Sequence, residues 1–123
     1  MAIATANELT AALIDGKAIA DEIRSEIATE VSRMKTSIGK VPGLAVILAS
    51  QRRECQTYVR NKVIACEEAG IRSDVTELQD CCSEDEILCA ITNFNENPDI
   101  HGILVQLPLP QVIIKCAYLR SYI

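Results

Sequence analysis

One stretch of this chain narrows its fold more than any other. Leu44–Leu48 reads LAVIL, with no polar residue to mark a wet face. A strand with one solvated face alternates apolar and polar residues, because successive side chains point to opposite sides. An uninterrupted apolar run instead suits a strand covered on both faces, as in a parallel sheet between helices. Extended by Ala49 it is the longest unbroken apolar run in the chain, and it is far too short to span a bilayer.

The flanking segments fit that reading. Asp15 is a suitable N-cap for a long helix, and Ile19, Ile23, Ile27, Val31 and Met34 recur at helical spacing as one apolar stripe. Gly39 ends it, and Pro42-Gly43 leads into the first strand. After the polar segment Ser50–Glu54, a second helix runs from about Cys55 to Ala69, with Val59, Val63 and Cys66 facing the core and Gly70 closing it. Ile71–Leu78 reads as a less apolar strand, nearer an edge. Ser83-Glu84-Asp85-Glu86 has the form of a capping box, opening a third helix that buries Ile87, Leu88, Ile91 and Phe94. Asn97-Pro98-Asp99 turns the chain into a third strand, Ile103–Leu107, stopped by Pro108 and Pro110. The predicted fold is therefore α/β: a three-layer α/β/α unit with a small parallel βαβαβ sheet, preceded by a long helix.

Composition excludes other classes. Of 123 residues, 49% are hydrophobic, too many for a disordered chain, and the length suits one modest core. A net charge of −5 lacks the basic face of a general nucleic-acid binder. Six cysteines form no CxxC pair and accompany a single histidine, so neither a zinc site nor a disulfide scaffold is expected. The first residues, MAIATANELT, hold no arginine and do not resemble a transit peptide, so free thiols and a cytoplasmic location are the expectation.

In such folds ligands bind at the carboxyl ends of the strands. Tyr58 and Lys62, four apart on the second helix, share a face turned about 100° from the Val59–Val63 stripe. A tyrosine ring offers a stacking surface, and a lysine in a partly apolar pocket can act as a base. On spacing alone both also fit an ordinary helix surface. Gln106 interrupts an apolar strand near its end; a buried amide needs partners, whether in a site or in a loop. Arg52 and Arg53 beside the first strand's end could meet an anionic tail or simply be solvated. His101 lies at the opposite end of the third strand and reads as structural. None of the five glycines forms GxGxxG or a P-loop. A stand-alone flavodoxin-like module fits the topology, but Ala49-Ser50-Gln51 offers no acidic cluster at the first strand's end.

The segments VPGLAVIL, Tyr58-Val59-Arg60-Asn61-Lys62 and NFNENPDIHGILVQLPLP together resemble a known family. It is the N-terminal catalytic domain of bifunctional methylenetetrahydrofolate dehydrogenase/methenyltetrahydrofolate cyclohydrolase, from about Ile14 to Pro110. The resemblance implies folate one-carbon chemistry: oxidation of methylenetetrahydrofolate with NADP or NAD, then hydrolysis of the methenyl product to formyltetrahydrofolate. It implies Lys62 as the essential lysine, Gln106 as the glutamine that orients it, and Tyr58 as the stacking ring, with Cys55 and Pro108 lining the tetrahydrofolate site. No metal is implied. Two positions depart from the family: Ser50 stands where glycine is usual, and Cys55 where serine is usual.

The family continues past this point into a pterin-binding aspartate and a dinucleotide-binding domain, whereas residues 111–123 read QVIIKCAYLRSYI. The expected organisation is thus an extension over 1–13, the catalytic domain over 14–110 and a divergent apolar tail over 111–123 in place of the NADP-binding domain. On that reading NADP has no site in these residues. The alternative expectation is a non-catalytic product that binds folate weakly, or associates with itself or with full-length subunits through the tail.

Overall fold

The computed structural model describes residues 11–110. The expected extension falls largely outside them, and the expected tail, 111–123, does so entirely.

The long helix, α1 (Gly16–Ile38), begins where its cap requires. The Asp15 carboxylate accepts the backbone N–H groups of Lys17 and Ala18 at 3.1 and 3.0 Å. It ends at Gly39, whose φ of 68° closes the last turn in the left-handed region that glycine tolerates best. β1 (Gly43–Leu48) follows, then α2 (Arg53–Ala69), β2 (Arg72–Glu77), α3 (Glu84–Glu96) and β3 (Gly102–Gln106). The capping box is present: Ser83 N–H donates to Glu86 Oε2 at 2.6 Å, and Glu86 N–H donates back to Ser83 Oγ at 3.2 Å. α2 starts two residues earlier than expected. Arg52 occupies its N-cap with no side-chain bond, so the sequence carried no capping signal there.

All strand pairs are parallel, in the order β2-β1-β3. The connection through α2 steps one way from β1, and the connection through α3 steps back across it. Crossovers of one hand that run in opposite directions put their helices on opposite faces. The core follows this rule. Val46 and Leu48 pack with Cys55 and Val59 beneath α2, while Ile47 and Ala49 pack with Ile87 and Ile91 beneath α3. Both faces of β1 are therefore covered, and Ala45 through Ile47 are wholly buried. This is the physical content of the unbroken LAVIL run. Among the described residues, β3 is an edge strand like β2, although its sequence is far more apolar.

α1 departs from its expected burial. Of its stripe only Val31 is buried; Ile19, Ile23, Ile27 and Met34 remain 48%, 50%, 39% and 39% exposed. The helix lies on α2, held by Val31 close to Gly70 and by Arg24 Nε to Glu68 Oε2 at 2.9 Å. No strand of the described sheet lies under its remaining apolar face. A helical period identifies the face that favours cover, but the cover itself is set by what packs there.

The amino end of the sheet is tightly closed. His101 N–H donates to the Gly43 carbonyl at 2.8 Å, and Gly43 N–H donates to His101 Nδ1 at 3.0 Å. His101 is structural, as expected. A side chain at Gly43 has no room, since a Cβ there would stand 2.0 Å from the Asp99 carbonyl oxygen.

Candidate functional site

The carboxyl end is built differently. In β3, Leu104 packs beneath α2, and Gln106, two residues further, projects from the same face. On α2, Cys55, Val59 and Lys62 follow at spacings of four and three, so they share the side turned to the sheet. These two local rules meet in one contact. Lys62 Nζ donates to Gln106 Oε1 at 2.7 Å, across 44 residues of chain. Both side chains are half-buried.

The amide is satisfied on its other side as well. Gln106 Nε2 donates to the Leu107 carbonyl at 2.9 Å. That same carbonyl receives the Cys55 thiol at 3.8 Å. The Lys62 amine also stands 5.8 Å from the centre of the Tyr58 ring, within cation–π range. Tyr58 itself is 60% exposed and keeps most of its ring free for a ligand.

An open cleft of about 470 Å³ lies here, walled by Cys55, Tyr58, Gln106 and Pro108 together with Arg52, Glu54 and Leu107. Four of the five residues singled out from the sequence line it. The fifth, Lys62, is not part of the wall and meets it through the Gln106 amide. Of the basic pair only Arg52 reaches the cleft. The Leu107 carbonyl was missed: a backbone acceptor has no signature in a side-chain sequence, although the polar Gln106 just before it marked the place. Behind the cleft, Gln51 N–H donates to Asp80 Oδ1 at 2.6 Å and ties the loop after β1 to the loop after β2.

The cleft lies between the amino end of α2 and the chain leaving β3, at the carboxyl ends of β1 and β3, where the two crossovers diverge. That is the topological switch point at which open parallel sheets bind their ligands. Fold and site together define a parallel α/β ligand-binding unit with a lysine–amide pair at its switch point.

The comparisons give that class a family. Residues 14–122 match the family model for tetrahydrofolate dehydrogenase/cyclohydrolase, catalytic domain, and the chain belongs to this family. It is 58% identical over 99 residues to the bifunctional protein FolD 1, mitochondrial, of Arabidopsis thaliana, covering 80% of this chain and 28% of that protein. Against the bifunctional protein FolD 2 of the same plant it is 50% identical over 111 residues, 90% of this chain and 37% of the relative. Among solved structures, the bifunctional FolD methylenetetrahydrofolate dehydrogenase/cyclohydrolase of Campylobacter jejuni superposes with a TM-score of 0.83 at 42% identity. That match covers 89% of this chain and 38% of the other. The Trypanosoma brucei enzyme, solved with NADP cofactor and an inhibitor, gives 0.86 at 37% identity, covering 90% and 38%. The chain thus spans roughly a third of the length of these relatives, and it is homologous to the catalytic domain of folate one-carbon metabolism.

The described residues do not fit a dinucleotide. A pyrophosphate needs a close backbone approach, usually at glycines on a strand-to-helix turn. Here Gly43 and Gly102 lie at the amino ends of strands, Gly39 and Gly70 close helices and Gly16 opens one. None lines the cleft.

Proposed function

We propose that the cleft binds a reduced folate and that Lys62 moves the proton in hydrolysis of methenyltetrahydrofolate to formyltetrahydrofolate. The observation that carries this reading is the 2.7 Å bond from Lys62 Nζ to Gln106 Oε1 at the edge of the cleft. Tyr58 stacks on the folate rings, and Cys55 and Pro108 shape the wall beside them.

The chemistry follows from charge. The methenyl substrate is a delocalised cation, and a cation repels an ammonium group, which favours the uncharged amine while substrate is bound. That amine takes a proton from water as the water oxygen bonds to the methenyl carbon. The tetrahedral adduct then opens: one carbon–nitrogen bond breaks with its electrons left on nitrogen, which takes the proton back from Lys62, while the hydroxyl proton leaves to solvent as the C=O bond forms. The carbon is left as a formyl group on the other nitrogen. Gln106 accepts from the amine and holds its lone pair toward the water.

The test is loss of the methenyl chromophore in the presence of the 123-residue chain. Hydrolysis above the spontaneous rate is expected, with a drop of about a hundredfold or more in Lys62→Met. Equal rates for the two proteins would overturn the assignment. A second reading, carried by the largely exposed Tyr58 ring, is folate binding without turnover. It predicts folate-dependent quenching or shift of the Tyr58 signal with no hydrolysis.

A further inference from the structure

We propose that Cys55 is a positioning residue: through the Leu107 carbonyl, its thiol sets which way the Gln106 amide faces and so holds the Lys62 amine. The proposal rests on the reading of Lys62 as the proton carrier.

A glutamine amide has one accepting and one donating end, and its neighbours decide between two orientations related by a flip. Lys62 offers only donors when charged. The Leu107 carbonyl is only an acceptor. With Oε1 on Lys62 and Nε2 on Leu107, both ends are satisfied, at 2.7 and 2.9 Å. The flipped amide would set the NH₂ group against the amine and oxygen against oxygen. The Leu107 carbonyl is therefore the reference that fixes the amide.

That carbonyl belongs to an exposed residue just past the end of β3, where no ladder bond holds it. Cys55 is only 3% exposed, and its Sγ meets the same oxygen at 3.8 Å, a separation suited to the large sulfur atom. Cys55 and Lys62 stand on one side of α2, seven residues apart. The helix thus grips Gln106-Leu107 at two points, one on the amide and one on the carbonyl. A thiol is a weak donor, so the second grip is the softer one.

The test reads the amide directly, apart from turnover. In wild type the two Gln106 Nε2 protons give separate resonances, one of them slow to exchange. In Cys55→Ala that exchange quickens, and the kcat of Lys62-dependent hydrolysis falls about threefold to tenfold. Cys55→Ser, which restores a stronger donor, recovers both and shifts the Leu107 carbonyl carbon. Unchanged Gln106 resonances in Cys55→Ala would overturn the proposal, as would an unshifted Leu107 carbonyl in Cys55→Ser. The serine variant carries the test alone if the alanine variant does not fold. Absence of hydrolysis in wild type would instead overturn the assignment of Lys62, and the resonances would still report on Cys55.

Discussion

The two ends of the sheet solve opposite problems with the same strands. At the amino end, backbone meets backbone and one histidine: Gly43 exchanges bonds with His101, and Arg72 N–H donates to the Pro42 carbonyl at 2.9 Å. No space is left at Gly43 itself. At the carboxyl end the strands diverge into a cleft, and side chains from α2 do the joining. Close packing of main chain gives stability but offers a ligand no surface. A cleft lined by side chains offers a surface, and its residues can change with little effect on the fold.

The sharpest way to break this comparison is Gly43→Ala. The new Cβ would meet the main chain of Asp99 and Ile100 rather than a flexible side chain, so the turn before β3 must move away from β1. A stability loss of about 2–4 kcal/mol is expected in urea titration. A loss below about 0.5 kcal/mol would show that the amino end yields easily. Lys62→Met is its counterpart. It should abolish hydrolysis while the thermal midpoint stays within about 2 °C, since the half-buried amine adds little to stability. A large fall in the midpoint would mean that the carboxyl end is structural after all.

Smaller effects sharpen the contrast. Tyr58→Ala removes an exposed ring, so it should leave the urea midpoint unchanged and weaken folate binding about fivefold, the scale of one aromatic stacking contact. Calorimetric titration with a reduced folate checks this, and equal affinity would remove Tyr58 from the site.

The smallest effect concerns thiols outside the cleft. Burial, with Glu67 adding to it, pushes the Cys66 thiol above its ordinary value of 9.0; burial, with Glu86 adding to it, does the same for Cys82. A raised value in the folded state means that the fold favours the protonated thiol. Its contribution is full below the ordinary thiol range and is lost as pH rises through that range, where the unfolded chain ionises first. Urea midpoints should therefore fall between about pH 8 and pH 10, and the fall should be shallower in Cys66→Ala. Alkylation should reach exposed Cys81 and Cys89 before buried Cys66 and Cys82.

Much of the fold was legible from local chemistry. Asp15, Gly39, Gly70 and the Ser83–Glu86 box each end or begin a helix through bonds within a few residues. Where such a bond is missing, at Arg52, the boundary was misplaced. The site was legible in part. Tyr58 and Lys62 stood out by their spacing and Gln106 by its polarity inside an apolar strand, but spacing alone favoured an ordinary helix surface for the first two, and Gln106 fitted a loop contact equally well. The family motifs raised them to candidates, and the Lys62–Gln106 bond brought two of them together.

What the sequence determined by itself is therefore the set of elements, the two-sided burial of β1 and the membership in a folate-enzyme family. These follow from short-range periodicity and from motifs written in consecutive residues. Tertiary structure decided the rest. Placing β3 beside β1 set Gln106 against Lys62, and only chain entry from β3 turned the Leu107 carbonyl toward Cys55. It also left the α1 stripe half-exposed on α2. Each of these depends on which elements become neighbours. That is a long-range choice, made by the burial of the whole core, and no local window of residues records it.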